Sequence, residues 1–515
     1  MDLPKSLTTE SLTTEALLDS LQHTAFLYFW EEANPVNGLI RDRSDPYSPC
    51  SIAAQGFGIT AICVAIEHGW VTREEGRDRI MLGMQTLWNG QQGPGTYGNN
   101  GYKGLFYHFL DINSGVRVWN CELSTIDTAL LMAGVLDAKM YFQTADEGDL
   151  ELRALADSLY QRVDWDFMRN GGNGIRMGWK PEGGFSSFGN WVGYNEAMIL
   201  YLLAIGSPTH PVPAWTWGYW TSGYNWSTQY GQTYLIFPPL FGHQYSHCWV
   251  DFRGIQDEYM RLRGIDYFEN SRRATLAARA YCIANPYGWP GYGENMWGLT
   301  ASDDPNGYVA HGAPPAQNDN GTITPTAAAS SIAFAPEVVI PALHHMDEQY
   351  GPQLWGEYGF KDAINPGLFW VAQHYLGIDQ GPIVIMIENY RNESIWQRFM
   401  ANEDVRRGLE LAGFDQLTPA PEPGAPGLSV IELGQNNPNP FTGTTLIRYR
   451  VARGGPVTLR VFDLRGRCVR KITDQAEAGE PRVLTLDAQG LPSGVYTYAI
   501  SSHGKTVKRR CVVIK

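Results

Sequence analysis

A mainly α chain, an (α/α)6 toroid followed by a small C-terminal β-sandwich, is the fold class predicted by this 515-residue sequence. Three observations carry it. Roughly twelve stretches of 3.6-residue apolar period lie between residues 15 and 413. A proline-rich break follows at 418–427, and beyond it the period switches to two.

The helical stretches run over 16–32, 53–68, 73–88, 125–141, 150–168, 196–205, 252–262, 270–284 and 328–345. Shorter ones follow at 368–375, 384–399 and 404–411. Strands do not alternate with these helices, and no glycine-rich nucleotide loop precedes any of them. Twelve helices fit six hairpins closing into a toroid, which gathers alternate helix ends and long loops at one face. In Thr418-Pro-Ala-Pro-Glu-Pro-Gly-Ala-Pro-Gly427 the prolines forbid helix and favour an extended linker. Strands are expected at 444–451, 456–463, 468–473, 482–487, 494–501 and 505–514, with turns at Asp463-Leu-Arg-Gly466 and Leu491-Pro-Ser-Gly494. The division is a 1–14 extension, a 15–414 helical domain, a 415–428 linker and a 429–515 sandwich.

Composition divides at the same place. All 17 Trp lie between Trp30 and Trp396. From residue 429 onward Lys+Arg number 14 against 6 Asp+Glu, whereas the rest of the chain has 25 against 47. So acidic a body disfavours nucleic acid and anionic polysaccharide, which need positive potential, and suits a neutral glycan. No apolar run is long enough to span a membrane. The seven Cys show no metal-ligand spacing. Cys63 and Cys282 read as core thiols, and Cys468 and Cys511 are the pair in the tail able to bridge. No feature calls for a cofactor or a metal.

Two segments carry the chemistry. Trp119-Asn-Cys-Glu-Leu-Ser-Thr-Ile-Asp-Thr128 and Gly193-Tyr-Asn-Glu-Ala-Met198 each place a carboxylate at a helix start beside aromatic rings. Ser124 would cap a helix with Asp127 at its third position, and Asn195-Glu196 repeats the pattern. Capping alone accounts for such acids. Separated carboxylates in an aromatic cavity are also what cleavage of a glycosidic bond requires, one protonating the leaving oxygen and another activating water or attacking the sugar. Glu196, flanked by Trp191, Tyr194 and Met198, has the more desolvating neighbours and is the better acid. Further polar groups stand in Gly- and aromatic-rich loops: Arg41, Asp42 and Arg43; His247, Asp251 and Arg253; Glu294, Trp297 and Asp303; Asp379, Gln380 and Glu388. Together with Trp191 and Tyr194 they read as a sugar-binding cleft, although each singly suits a cap or an ion pair. Trp215, Trp217, Trp220 and Trp226 are candidates for stacking on sugar as much as for the core.

Gly38-Leu-Ile-Arg-Asp-Arg-Ser44, Ala54-Gln-Gly-Phe-Gly58, Glu122-Leu-Ser-Thr-Ile-Asp-Thr128 and Tyr194-Asn-Glu-Ala197 resemble the glycoamylase-like domain of glycoside hydrolase family 144. So do Trp297-Gly-Leu-Thr-Ala-Ser-Asp303 and Gly377-Ile-Asp-Gln-Gly-Pro382. The resemblance spans about residues 15 to 414. It implies an (α/α)6 barrel, hydrolysis of β-1,2-glucan as by an endo-β-1,2-glucanase, and inversion at the anomeric carbon. The functional acids it implies fall on Asp127, Glu196, Glu122 and Asp379, and motif matching does not say which is the base.

The tail resembles the C-terminal sorting domain of type IX secretion, or the related FlgD-type immunoglobulin-like fold, through Asn437-Pro-Asn-Pro-Phe441, Val461-Phe-Asp-Leu-Arg-Gly466 and Leu491-Pro-Ser-Gly-Val-Tyr496. This implies export or surface display, with the type IX machinery as partner. Met1-Asp-Leu-Pro-Lys5 lacks the apolar core of a signal peptide, so a truncated start is expected, the alternative being a tail of structural use only. Other functions left open are an exo-acting, sophorose-releasing hydrolase, an α-glucan glucoamylase, a polysaccharide lyase (disfavoured by the acidic body) and a non-catalytic glycan-binding surface protein.

Overall fold

A computed structural model describes residues 12–415 and 431–514, apart from 437, 452–453, 464–466, 478–481 and 503–504. The linker expected at 415–428 lies almost wholly outside the described residues, as does the expected 1–14 extension up to residue 11. The chain divides into two compact units, Met1–Thr418 and Pro419–Lys515.

The first unit is helical. Its described residues form α1 (Thr14–Glu31), α2 (Ile52–Glu67), α3 (Arg73–Asn89), α4 (Thr125–Tyr141), α5 (Glu147–Gln161), α6 (Met198–Gly206) and α7 (Thr216–Thr221). They continue as α8 (Glu258–Arg263), α9 (Tyr267–Ala284), α10 (Pro325–Ala329), α11 (Pro336–Leu354), α12 (Gly377–Arg391), α13 (Ser394–Met400) and α14 (Glu403–Leu411). Two kinds of helix are present. Those apolar nearly all round (α2, α4, α6 and α12) are buried along almost their whole length. Others bury a single stripe, such as Ile80, Met84 and Leu87 of α3 or Leu152, Ala156 and Leu159 of α5. That pattern is what an inner set of helices wrapped by an outer set demands.

Within the inner set, α2 packs on both α4 and α12, and α4 also meets α6. The α2–α4 contact is backbone on backbone. A Cβ on Gly56 would stand 2.2 Å from the carbonyl oxygen of Leu130, and one on Gly134 would stand 2.1 Å from that of Gly56. Neither helix can retreat without unpacking its other neighbours. Gly134→Ala is therefore expected to cost about 1–3 kcal/mol despite alanine's better helix propensity. An unchanged urea midpoint would show that the two helices can separate freely.

Several expected helices are shorter or broken, each for a local reason. The stretch 328–345 divides because Pro336, lacking an N–H, starts a new helix instead of continuing the old one. The stretch 384–399 breaks before Ser394, where Glu393 takes a left-handed φ of 62°. The stretch 150–168 ends at Gln161 and resumes as a short 3-10 turn, Asp166–Arg169. In 252–262 only Glu258–Arg263 is helical, started by the Asp257 cap. The expected helix 368–375 does not form. Phe369 is left-handed there (φ 53°), and Trp370–Val371 pairs with Ile364–Asn365 as a two-stranded ribbon.

The second unit is a two-sheet β structure. Strands Ile431–Leu433, Thr444–Val451 and Arg482–Asp487 form one sheet; Cys468–Ala476, Gly455–Phe462, Gly494–Ser502 and Lys505–Val513 form the other, in that order. Burial alternates along Thr444–Val451, so Ile447, Tyr449 and Val451 face a core shared with Leu459, Val461, Tyr498 and Ile500. Cys468 and Cys511 do not bridge: Cys468 is exposed and Cys511 is buried. They sit on opposite edge strands with two strands between them, about 14 Å at the usual strand spacing and far beyond disulfide reach. Cys63 and Cys282 are buried free thiols.

Candidate active site

The starts of α2, α4 and α12 and the turn before α6 meet at one cavity of about 470 Å³, in the size range of small-molecule sites. Its wall includes Asp42, Arg43, His108, Asp127 and Glu196 among the aromatic rings of Phe109, Trp119, Phe241, Tyr245 and Tyr308.

Asp127 reaches the cavity because Ser124 stops the chain just before α4. The Ser124 side chain accepts from the Asp127 N–H at 3.3 Å, and its hydroxyl donates to Asp127 Oδ2. The strand segment before α2 carries its own cap, Ser51, and the carbonyl of His108 accepts from Ile52 N–H at 3.2 Å. That contact seats His108 over the beginnings of both helices. Its Nδ1 lies 2.9 Å from Glu122 Oε1, and its Nε2 lies 3.7 Å from Asp127 Oδ2. Burial opposes a charged imidazole, yet Asp127, Glu122 and Asp42 outweigh it and raise His108 to about 9. For Glu122, burial favours the neutral acid, but the His108 contact prevails and holds it below its ordinary range. Burial lifts Asp42 above the usual carboxylate range, against Arg43 and His108.

One potential ligand atom from each of His108, Glu122 and Asp127 lies within 4.8 Å of the others. The two carboxylates, however, engage opposite ring nitrogens, so a single imidazolium bridges them and offsets one of their two charges. This is the geometry of an ion-paired relay.

Glu196 stands across the cavity. The chain turns there before α6 begins at Met198, two residues later than periodicity suggests. Asn195 Oδ1 accepts from Ala197 N–H at 2.9 Å, and Ser246 Oγ donates to the Glu196 carbonyl at 3.1 Å. The backbone is thereby fixed, and one carboxyl oxygen, Glu196 Oε2, is buried without a hydrogen-bond partner. Burial, helped by the Asp127 charge, raises Glu196 to about 7.

Behind the wall lies a second acid group. Arg43 Nη1 donates to Asp303 Oδ1 at 3.1 Å, and Asp303 N–H donates to Asp362 Oδ2 at 2.7 Å. Asp362 is hydrogen-bonded in turn to Asp379, the third residue of α12. Burial and mutual repulsion raise Asp362 to about 7 and Asp379 well above its ordinary range. Two such carboxyls can bond only by sharing a proton. Asp379 Oδ2 is buried and otherwise unpartnered.

Of the residues expected in the cleft, Asp42, Arg43, Asp127 and Glu196 line the cavity, and Glu122, Asp303 and Asp379 stand behind it. The others are not among its lining residues. Arg41 pairs with Glu32 at 2.9 Å. Trp191 Nε1 donates to Thr125 Oγ1 at 3.0 Å, and Tyr194 lies buried against Trp220, Tyr224 and Tyr267. His247 is fully buried, 3.0 Å from Ser271 Oγ, and burial pushes its pKa well down. Asp251 and Glu393 clamp Arg253 at 2.8 and 2.7 Å. Glu294 is an exposed partner of Arg279, whereas Trp297 and Gln380 are wholly buried. Glu388 sits nine residues down α12 from Asp379, about 13 Å along the axis, bonded to Gln22, His68 and Asn392. Trp217 and Trp220 are buried, while Trp215 and Trp226 lie beside Arg169 and Arg263; none of the four lines the cavity. His108, Phe241, Tyr245, Tyr308 and Asp362 escaped the sequence reading because they lie in bends, short 3-10 turns and a two-stranded ribbon too brief to show a capping pattern or a period.

Comparison with known proteins places this unit. A family model described as "Putative glucoamylase" matches residues 189–403, and one described as a secretion system C-terminal sorting domain matches residues 437–515. An exo β-1,2-glucooligosaccharide sophorohydrolase of Parabacteroides distasonis is 33% identical over 441 residues, 79% of this chain. The match covers 59% of that relative's length. The solved endo-β-1,2-glucanase of Chitinophaga pinensis, bound to sophorotriose and glucose, is 33% identical with a TM-score of 0.73, the match covering 79% of this chain and 99% of that one. A solved protein of Bacteroides uniformis, described as a glucoamylase, is 37% identical with a TM-score of 0.73 over 79% and 98% of the two chains. The helical unit with its cavity, followed in the chain by the β unit, thus makes this chain a member of the glycoamylase-like family that carries a secretion system C-terminal sorting domain.

Proposed function

We propose that the protein hydrolyses β-1,2-linked glucan, with Glu196 protonating the glycosidic oxygen. The observation that carries this is the Glu196 carboxyl: at the cavity wall, with its Oε2 unpartnered, raised to about 7, and facing a set of carboxylates and an imidazolium. A general acid needs a proton at neutral pH and a position beside the leaving oxygen. The inner, fully buried helices and the outer, one-sided ones support an (α/α)6 toroid as the scaffold, with catalysis at the mouth formed by the inner helix starts.

Asp379, sharing its proton with Asp362, is assigned as the base acting through water. Asp127 Oδ2 is already engaged by both Ser124 and His108. Glu122 positions His108. The sorting domain at 437–515 marks the protein as secreted or surface-displayed, and the type IX machinery is its proposed partner there. No described helix is long and apolar enough to cross a membrane.

Product analysis tests the activity. Linear β-1,2-glucan is expected to yield short β-1,2-gluco-oligosaccharides, while maltooligosaccharides and laminarin remain intact. Release of glucose from maltooligosaccharides alone would replace this reading with an α-glucan glucoamylase. Sophorose as the sole early product would assign the exo mode, and a ladder of sizes the endo mode. A chain ending at Leu417 is expected to keep its activity, since the first unit buries its own core. Loss of activity on that truncation would make the tail part of the catalytic unit.

A further inference from the structure

Trp119 is the largest exposed side chain on the cavity wall, 68% accessible, where burial is the rule for a ring of its size. Its backbone is held in the left-handed region, φ 55°, and that of Asn120 follows at φ 50°. Asparagine tolerates this region, but a tryptophan there is strained and persists only if the surroundings over-determine it.

The surroundings do so. Cys121 N–H donates to the Val118 carbonyl at 3.1 Å, and Val118 N–H donates to the Phe109 carbonyl at 3.2 Å. Arg117 Nε donates to the Cys121 carbonyl at 2.7 Å, and its guanidinium is fixed by Glu182 at 2.7 Å. The turn is tied at both ends while its tip points an indole into solvent. Below that indole the rings are continuous: Trp119 meets Phe109 at 5.2 Å between centroids, and Phe109 stacks on His108 at 3.9 Å. An aromatic wall therefore runs from the acid group outward to the rim of the cavity. Strain that keeps an apolar ring wet gives the folded protein nothing by itself, and the ring's position gives it a use when a ligand arrives.

We propose that Trp119 is a stacking platform at the cavity rim that takes the apolar face of a glucosyl residue lying outside the reacting position. This rests on the glucan-hydrolase reading above. The indole contributes to holding a long chain and not to the bond-breaking step, so its loss acts on KM for long substrates.

Trp119→Gly and Trp119→Phe separate binding from structure. Glycine adopts φ > 0 without strain, so Trp119→Gly is expected to keep its thermal midpoint within about 3 °C of wild type. On linear β-1,2-glucan its KM is expected to rise about tenfold, equivalent to about 1.4 kcal/mol, with kcat within about twofold. Trp119→Phe is expected to recover most of that loss. An unchanged KM in Trp119→Gly, or a Phe variant no better than the Gly variant, would overturn the platform. A wild-type enzyme that cleaves no β-1,2-glucan would overturn the underlying activity instead, so the two failures are distinct.

Discussion

Glu196→Gln is expected to lower turnover on β-1,2-glucan by about 10²–10⁴-fold, the usual consequence of removing a general acid. The amide keeps the shape of the side chain and takes away the proton, and the Asn195 and Ser246 contacts that fix this turn involve backbone and stay intact. The same group sets a pH dependence. With Glu196 raised to about 7, the protonated form needed for catalysis is lost above neutrality, so kcat/KM is expected to fall on the alkaline side of about pH 7. Stability moves in the same sense. A carboxyl whose pKa is raised on folding stabilises the folded state fully below its unfolded value of 4.5, and that contribution disappears as pH climbs through about 7. Glu196→Gln removes the titration, so its thermal midpoint is expected to gain on the wild type above pH 7 and not at pH 4. A folded variant with near-normal turnover would remove Glu196 from the mechanism, and an alkaline limb displaced above pH 9 would assign the acid to another group.

What was legible in the sequence was local. Ser124 and Asp127 announce a helix start within four residues, and α4 begins where they place it because capping depends only on neighbouring backbone groups. A period near two places Thr444–Val451 and Arg482–Asp487 for the same reason. Burial is not local. His247, Trp297 and Glu388 stand among aromatic and polar neighbours in the sequence much as Asp42 does, yet tertiary packing encloses them in the core and leaves Asp42 on the cavity wall. His108 shows the converse. Nothing around it in the sequence signals a functional role, and its importance arises only when the loop crosses α2 and α4 and sets an imidazole between Glu122 and Asp127. The broken helices illustrate a third limit. The apolar period continues through Ser330–Ala335, but a proline at 336 decides that the helix restarts there.

The base is expected to reveal itself by comparison of Asp379→Asn with Asp127→Asn. Asp379→Asn is expected to cost about 10²–10⁴-fold in kcat with KM little changed, because it removes a proton acceptor. It should remain folded, since the new amide can donate to Asp362 where a shared proton stood before. Asp127→Asn is expected to act chiefly on KM. Its carboxylate lines the cavity and shares the His108 charge with Glu122, so its loss alters the charge met by the incoming sugar more than it removes a base. The reverse outcome, with Asp127→Asn abolishing turnover and Asp379→Asn nearly silent, would transfer the role to Asp127. Stereochemistry is a separate measurement on the same reaction. A base that delivers water to the face opposite Glu196 inverts the anomeric carbon, so NMR of fresh product from a β-linked chain is expected to show the α-anomer first. Initial β-anomer would mean that a carboxylate attacked the sugar directly. Of the acids here, only those on the cavity wall could do so, and a base placed behind that wall would then have no part in the reaction.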